Sequence, residues 1–345
     1  MPQPHTALSA LLRLIIAVLF GTATLSACEL CAIYNADNAL TGSGAGIAFA
    51  IAEQYIPYRT SQFEGEPTST PSPSFVDNSI THLVPGYNFS SRFGVNLNLP
   101  LVYNDFERHD IRYSLTAPPT FFTEKGTEFG LGDISLIGRV TLFERRAMKY
   151  GILVNLLAGV KFPTGDASRL EDEVDQAKIF EALLPPGTPH DPLGHSISSV
   201  HEHLLALGSG SYDGVFGLTL NSRWQRLFLN GQFQYYLRTE GEAGFVYGDE
   251  LAVSGGPGGY VLLNRWYTLS LQLNAVYDTM ARDELLGRPS DRTGSTAWYL
   301  GPLLNFTWGD HFSVNAGVDV PLRIQNNGFQ SVPDYRIHGG LAWRF

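Results

Sequence analysis

The stretch FSVNAGVDVPLRI, residues 312–324, alternates between apolar and polar side chains with a period of two. Its apolar face consists of Val314, Ala316, Val318, Val320, Leu322 and Ile324, and its polar face of Ser313, Asn315, Gly317, Asp319 and Arg323. Alternation over about 10 residues is typical of a strand that crosses a membrane, with one face on lipid and the other on a polar lumen. The same pattern returns in YTLSLQLNAVYD, residues 267–278, and in LFLNGQFQYYL, residues 227–237.

Twelve alternating segments follow one another along the chain. They cover residues 45–60, 78–90, 91–106, 127–143, 148–163, 211–224, 226–239, 249–263, 265–281, 294–308, 310–326 and 333–345. The breaks after even-numbered segments are tight, whereas those after odd-numbered segments are long: 61–77, 107–126, 164–210, 240–248, 282–293 and 327–332. A soluble β-sandwich has no reason to keep this parity, but outer-membrane barrels join short periplasmic turns to longer external loops. We therefore predict an all-β fold, a transmembrane outer-membrane antiparallel β-barrel of about twelve strands with a long external third loop.

The N-terminus predicts export. Arg13 is followed by an apolar stretch, residues 14–20, that fades into small residues before Cys28, as in a secretory signal peptide. No later segment approaches the ~18 consecutive apolar residues of a spanning helix. The predicted organisation is a signal peptide over 1–27, a Cys-containing periplasmic segment over 28–44 and the barrel over 45–345. With an even strand number, both mature termini are expected in the periplasm of a bacterium and the barrel in its outer membrane.

Composition and the aromatic residues indicate the partners. Only 16% of residues are charged and the net charge is −10, which argues against nucleic acid. Aromatic residues gather at the two ends of the predicted strands, as in interfacial girdles that contact outer-membrane lipid. They are Trp224, Trp266, Trp308, Phe312, Trp343 and Phe345 at the short-turn side and Tyr58, Phe162, Tyr212, Tyr277 and Trp298 toward the long loops. The terminal strand YRIHGGLAWRF ends in Phe345 and resembles the signal read by the barrel-assembly machinery. A periplasmic partner stays unknown.

Three further stretches carry a family resemblance. They are GLGDISLIGRVTLF (130–143), AGVKFPTGD (158–166) and LALGSGSYDGVFGL (205–218). With the terminal strand, they resemble the outer-membrane transporter-like family named for the meta-pathway of phenol degradation, over roughly residues 127–345. The resemblance implies an outer-membrane channel or transporter-like protein that handles small hydrophobic compounds.

The alternation also predicts a lumen lining of amides and charges of both signs. The inward set is Asn96, Asn98, Asp133, Arg139, Asn155, Lys161, Asn221, Gln232, Gln234, Arg238, Gln272, Asn274, Asp278, Asn305, Asn315, Asp319, Arg323, Arg336 and His338. Such a lining fits a hydrated pore without strong ion selectivity, and it fits equally a polar network that fills a narrow barrel. Both interpretations remain open at this point.

The third loop is acidic and holds the histidines His190, His195, His201 and His203. Imidazoles and carboxylates in this pattern are able to bind Zn, Cu or Ni, although a solvated acidic lid with free histidines is the favoured interpretation. No cofactor is expected apart from a possible Cu or Zn ion. The segment RLEDEVDQAKIFEALL, residues 169–184, predicts a short helix that contacts the mouth of the barrel through Ile179, Phe180, Leu183 and Leu184.

The two cysteines, Cys28 and Cys31, form a C-x-x-C pair. Covalent haem attachment is excluded, because position 32 is Ala where that motif requires His. The LSAC sequence resembles a lipobox, which would make Cys28 the diacylated first residue of a lipoprotein. A disulfide and a thiophilic metal site for Cu(I) or Zn are the other two interpretations.

An enzyme is the less favoured class. The sequence holds no G-x-S-x-G motif, and the strand histidines His82 and His338 have no serine and orienting acid nearby in the pattern. We expect a channel or transporter-like barrel for passive passage of small, hydrophobic or amphipathic solutes. The alternative is a metal-handling or redox-linked outer-membrane protein that uses the C-x-x-C pair or the third-loop histidines.

Overall fold

Twelve antiparallel strands form the fold in the computed structural model, which describes residues 45–69, 73–309 and 311–345. The strands are β1 (Gly46–Phe63), β2 (Phe75–Asn88), β3 (Phe93–Arg112), β4 (Thr120–Leu131, continued by Ser135–Arg146), β5 (Tyr150–Lys161), β6 (Asp213–Trp224), β7 (Leu227–Leu237), β8 (Glu250–Leu263), β9 (Tyr267–Met280), β10 (Ser295–Trp308), β11 (Phe312–Asn326) and β12 (Phe329–Pro333, continued by Arg336–Arg344). The predicted signal peptide and the Cys28–Cys31 segment lie outside the described residues.

The sheet closes on itself. Ala52 of β1 pairs with His82 of β2 on one side and with Gly340 of β12 on the other, so the first and last strands meet. Closure removes the two edges that an open sheet would leave unpaired. The predicted twelve-strand antiparallel barrel is confirmed.

The connections keep the predicted parity with one exception. Tight turns at 89–92, 147–149, 225–226 and 264–266, together with the short connection that follows Trp308, define the short-turn end of the barrel. The opposite, long-loop end carries the connections that follow Phe63, Arg112, Lys161, Leu237 and Met280. The exception is 327–328, where β11 and β12 join in an Asn-Gly turn whose Gly328 has a φ of 57°. The predicted loop 107–126 is wrong over most of its length, because β3 and β4 keep pairing as far as Arg112 and Thr120.

The distribution of side chains is the reverse of that in a soluble protein. On β9, Leu271 and Leu273 are 50% and 52% exposed, whereas Gln272 and Asn274 between and beside them are buried. Apolar side chains are exposed in the same way on the outer faces of the other strands, for example Phe233, Leu304 and Leu341. A continuous exposed apolar surface of this extent is typical of contact with lipid.

A β-bulge changes the face of one predicted residue. Pairing between β10 and β11 shifts at Leu322, since Trp298 lies opposite Arg323 and Tyr299 opposite Pro321. The extra residue reverses the alternation from there on, because two residues of one strand oppose one of its partner. Arg323 is therefore exposed and Ile324 buried, so the prediction that Arg323 faces the lumen is wrong.

Aromatic side chains mark the short-turn end as predicted. Trp224, Trp266, Trp308, Trp343 and Phe345 are all more than half exposed there. At the long-loop end Tyr212 is exposed, but Tyr58 is buried beside Ile56 and Val76. The girdle assignment of Tyr58 is wrong because Tyr58 lies on the inward face of β1, two residues after buried Ile56. Among the described residues, no helix is long and apolar enough to span a membrane.

Candidate functional site: a plugged barrel with two internal cavities

The third loop folds back on itself and fills one end of the barrel. Its two ends meet where the backbone N–H groups of Leu207 and Gly208 both donate to the carbonyl oxygen of Asp166, at 3.0 Å. Between them lie helices α1 (Ser168–Leu183) and α2 (Glu202–Leu205). We call residues 166–209 the plug. Leu205 packs in the same buried cluster as Phe106 of the barrel wall.

The sequence pattern predicted the wrong buried face for helix α1 of the plug. Helix α1 has the predicted bounds to within one residue, but its buried residues are Leu170, Glu173, Val174 and Ala177. Leu183, which was expected to contact the barrel, is instead exposed. The favoured interpretation of a solvated lid with free histidines is wrong, because His195 and His201 are buried within the plug.

An ion-pair network ties the plug to the long strands β3 and β4. Arg108 contacts Glu202 of α2, and its Nε lies 2.8 Å from Glu124 of β4. Arg169 of α1 lies 2.8 Å from Glu124 and 2.5 Å from Glu128. Each guanidinium can bond two carboxylates at once because its donors are arranged as a rigid fork. The extension of β3 and β4 beyond their predicted ends therefore provides the anchor for both helices.

A second network ties the plug to the inner wall. Lys161 of β5 lies 2.8 Å from Asp133 and 2.6 Å from Asp213, and it donates to the hydroxyl of Ser209 at 2.5 Å. Asp133 stands in the break between the two parts of β4 and also accepts from the N–H of Ser209. Arg238 continues the network, 3.1 Å from Asp213. The carboxyl-terminal end of the plug is thereby fixed against three strands.

Below the plug lies the upper cavity, with a volume of about 200 Å³. Its walls combine a cluster of aliphatic side chains with polar and charged groups. The aliphatic residues are Ile56, Val76, Ile80, Val102, Leu204 and Leu207, and the polar ones include Asn98, Asn104, His203 and Arg238. Walls that combine apolar side chains with oriented polar groups are typical of sites for small organic molecules.

Toward the short-turn end lies the lower cavity, of about 450 Å³. Its walls are rich in amides and hydroxyls, with Asn221, Asn230, Gln232, Gln272, Asn274, Asn305 and Asn315 among the lining residues. The upper and lower cavities share no lining residue. The two cavities are therefore separate compartments.

A layer of charged and amide side chains lies between the cavities. Along β9, Asn274 lines the lower cavity, Met280 lines the upper one, and buried Asp278 stands between them. Gln234 has the same position on β7 between Gln232 and Tyr236. We call this layer the middle belt, which consists of Gln54, Gln234, Asp278, Asp319, Arg336 and His338.

Ion pairs fill the middle belt. Arg336 donates to Asp278 at 2.7 Å and stacks over the ring of Tyr299, with 3.9 Å from its guanidinium carbon to the ring centroid. His338 lies 3.2 Å from Asp319. Of the two interpretations of the polar interior, a packed network therefore describes the belt, and a space lined by polar side chains describes the lower cavity.

Most of the residues predicted to line the lumen are buried or partly buried. The strand residues Asn96, Asn98, Arg139, Asn155, Lys161, Gln234, Gln272, Asn274, Asp278, Asn315, Asp319, Arg336 and His338 are buried, and Asp133, Gln232 and Arg238 are partly buried. Arg323 is the exception already described. His82 is also buried, with its Nδ1 3.0 Å from the side-chain oxygen of Asn98.

The plug histidines divide into two groups. His201 and His203 stack with ring centroids 5.3 Å apart, and both face Glu173 of α1. His195 lies at the edge of this group, 4.0 Å from Glu173. His190 is separate, with its Nε2 3.2 Å from Arg288. The four predicted ligands therefore do not form one site, whereas Glu173 was missed. Its position on the apolar stripe of α1 was the available signal, since a carboxylate there must be buried with the stripe.

Burial and neighbouring charges shift the pKa values of residues in the first group. Burial alone raises the pKa of Glu173, but the charge of His203, its hydrogen bonds and the neighbouring imidazole of His201 outweigh burial and hold this pKa well below its usual range. Burial lowers the pKa of His203, and the nearby carboxylate of Glu173 outweighs it, so the pKa of His203 is raised. For His195 burial dominates and its pKa is lowered.

Comparison with known proteins supports the fold assignment. No family model matches the chain, and no curated protein matches it. Among solved structures, an outer membrane channel from Pseudomonas putida F1 is similar, with a TM-score of 0.56 at 11% identity, covering 88% of this chain and 96% of the other. The CymD monoaromatic hydrocarbon channel is matched with a TM-score of 0.40 at 10% identity, over 94% and 95% of the two chains. At these identities the first likeness supports the barrel fold.

Proposed function

We propose that the chain is an outer-membrane channel that admits a small apolar or amphipathic solute by passive passage, without ATP or a covalent intermediate. The upper cavity is the observation that carries this proposal. It lies inside a barrel with an apolar outer surface, directly under the plug, and its walls combine aliphatic side chains with polar groups, which suits a small amphipathic organic molecule. The resemblance to the meta-pathway family and the channel from Pseudomonas putida F1 support the same conclusion.

The outer-membrane location rests on the barrel surface. The exposed leucines of β9 and the tryptophans at the short-turn end match a lipid-facing band with an aromatic girdle. In this proposal the long-loop end and the plug face the outside, and the short-turn end with both mature termini faces the periplasm. Partners are then outer-membrane lipid, the solute and the barrel-assembly machinery.

In this proposal the route has two stages. A solute that passes the plug enters the upper cavity, crosses the middle belt and leaves through the lower cavity. The middle belt is closed by the Arg336–Asp278 pair, so passage requires its side chains to move aside. We therefore expect slow, solute-specific passage rather than the large current of an open water-filled pore.

A filling substitution tests the upper cavity. Val102→Trp places a large ring in a cavity of about 200 Å³, so we expect binding of a small aromatic probe such as naphthalene to weaken by about tenfold or more. The measurement is calorimetric titration of detergent-solubilised protein. Val320→Trp is the matched control, since Val320 is 49% exposed on the outer face of β11, and it should bind as the native protein does. Equal affinity of native and Val102→Trp protein would place the solute elsewhere.

A further inference from the structure

A buried carboxylate and two imidazoles meet inside the plug. Glu173 of α1 lies 2.9 Å from Nδ1 of His203 and 3.5 Å from Nδ1 of His201. One donor atom from each of the three residues lies within 4.8 Å of the others. The three side chains come from two segments of the plug that are about thirty positions apart in sequence, and the fold brings them together.

Glu173 has an unusual environment for a carboxylate. Its side chain is 1% exposed, and its ion-pair partners among the described residues are imidazoles rather than a lysine or an arginine. The neighbouring Glu202, by contrast, contacts both Arg108 and Arg169. Buried charges in proteins are usually paired with a cation or coordinate a metal. The imidazoles around Glu173 fit coordination of a metal.

His201 provides a second, independent observation. Its side chain is 3% exposed, and neither of its ring nitrogens has a hydrogen-bond partner among the described residues. Burying an imidazole without a partner is unfavourable. Its Nδ1 faces Glu173 and its ring stacks on His203, so the unpartnered ring belongs to the same cluster.

We propose that Glu173, His201 and His203 bind one divalent first-row transition metal ion, with Zn²⁺ as the representative ion. Two imidazoles and one carboxylate form a ligand set that Zn²⁺ accepts in proteins. Zn²⁺ ligands lie ~2.0–2.2 Å from the ion and therefore about 3–4 Å from one another, so the three donors need only a small contraction. His195, 4.0 Å from Glu173, stands next to the remaining coordination position.

The surroundings of His203 also suit a ligand. While its Nδ1 faces Glu173, its Nε2 lies 3.8 Å from a carboxylate oxygen of buried Asp283, in the loop between β9 and β10. Metal-bound histidines commonly donate their second ring N–H to a carboxylate, which fixes the ring orientation. Asp283 is itself held, since it accepts from the N–H of Gly248 at 2.8 Å. The metal would thus link α1, α2 and a neighbouring loop, and fix the plug over the upper cavity.

Metal content tests the proposal. Folded protein is treated with a chelator, incubated with Zn²⁺, desalted, and analysed for bound zinc by mass spectrometry. We expect one Zn²⁺ per chain for the native protein and a loss to background for His201→Ala and for His203→Ala. His190→Ala and His311→Ala are matched controls that should keep the full content, because these histidines lie outside the cluster.

Two further measurements show whether a loss of zinc comes from the proposed ligands. Circular dichroism and heat-modifiable migration on gels report whether the barrel of each variant is folded, and the cluster lies in a loop outside the strand pairing. Cys31→Ser tests the other candidate ligand, and it should leave the zinc content unchanged. A native protein without stoichiometric zinc, retention of zinc in both His201→Ala and His203→Ala, or its loss in Cys31→Ser would each overturn the proposal.

Discussion

Removing both obstructions in the barrel should raise single-channel conductance by an order of magnitude or more, whereas removing either one alone should leave it near the native value. The plug and the middle belt lie in series along the same axis, and the current through two constrictions in series is limited by the one that stays. The first change excises residues 168–205. A short Gly-Ser linker can close the gap, because Asp166 and Leu207 already share a backbone hydrogen bond.

The second change removes both members of the belt pair, Asp278→Ala with Arg336→Ala, so that no unpaired charge is left buried. Planar-bilayer recordings compare each single change with the combination. The control replaces the exposed pair Arg282 and Asp291 by Ala in the excised protein, and it should add nothing to the conductance. Full conductance after excision alone would show that the belt is no barrier, and a closed combination would refute the route.

Substituting Lys161 by Met should destabilise the barrel by about 3–5 kcal/mol, the cost of breaking a buried ion pair from one side. Lys161 contacts the buried carboxylates of both Asp133 and Asp213. Arg238 still reaches Asp213 in the variant, but Asp133 loses the ammonium group that neutralises it. The measurement is urea unfolding of vesicle-inserted protein followed by tryptophan fluorescence.

Two variants show whether the loss comes from the charge on Asp133. Lys178→Met removes a lysine from an exposed pair with Asp175 and should change the free energy of unfolding by less than about 1 kcal/mol. Adding Asp133→Asn to Lys161→Met should recover part of the lost stability, since the buried charge is then gone. Equal effects of Lys161→Met and Lys178→Met would mean that the network contributes little.

Local pattern was sufficient to predict the strands and their number. Period-two alternation follows from the geometry of a strand that lies between lipid and a polar interior. The alternation within one segment is therefore enough to identify that segment as a strand. The same reasoning failed at Arg323 and Ile324. A bulge depends on how a strand pairs with its neighbour, and residues 320–324 alone contain no sign of the shift.

The plug could not be predicted from local pattern because its contacts are long-range. Its acidic residues suggested a solvated loop, but Glu202 is paired with Arg108, 94 positions earlier, and Arg169 with Glu128, 41 positions earlier. The three donors of the histidine cluster show the same limit. His201 and His203 were visible as neighbours in sequence, whereas Glu173 joins them only through the packing of α1.

Liposome swelling with two amino acids tests the central proposal most directly. Phenylalanine is larger than serine and carries an aromatic ring, and both cross bare lipid slowly as zwitterions. If the aliphatic side chains of the upper cavity select the solute, the native protein should admit phenylalanine faster than serine, and Val102→Trp should abolish the difference. Faster entry of serine, as in a simple size sieve, or no protein-dependent swelling with either solute would contradict the account.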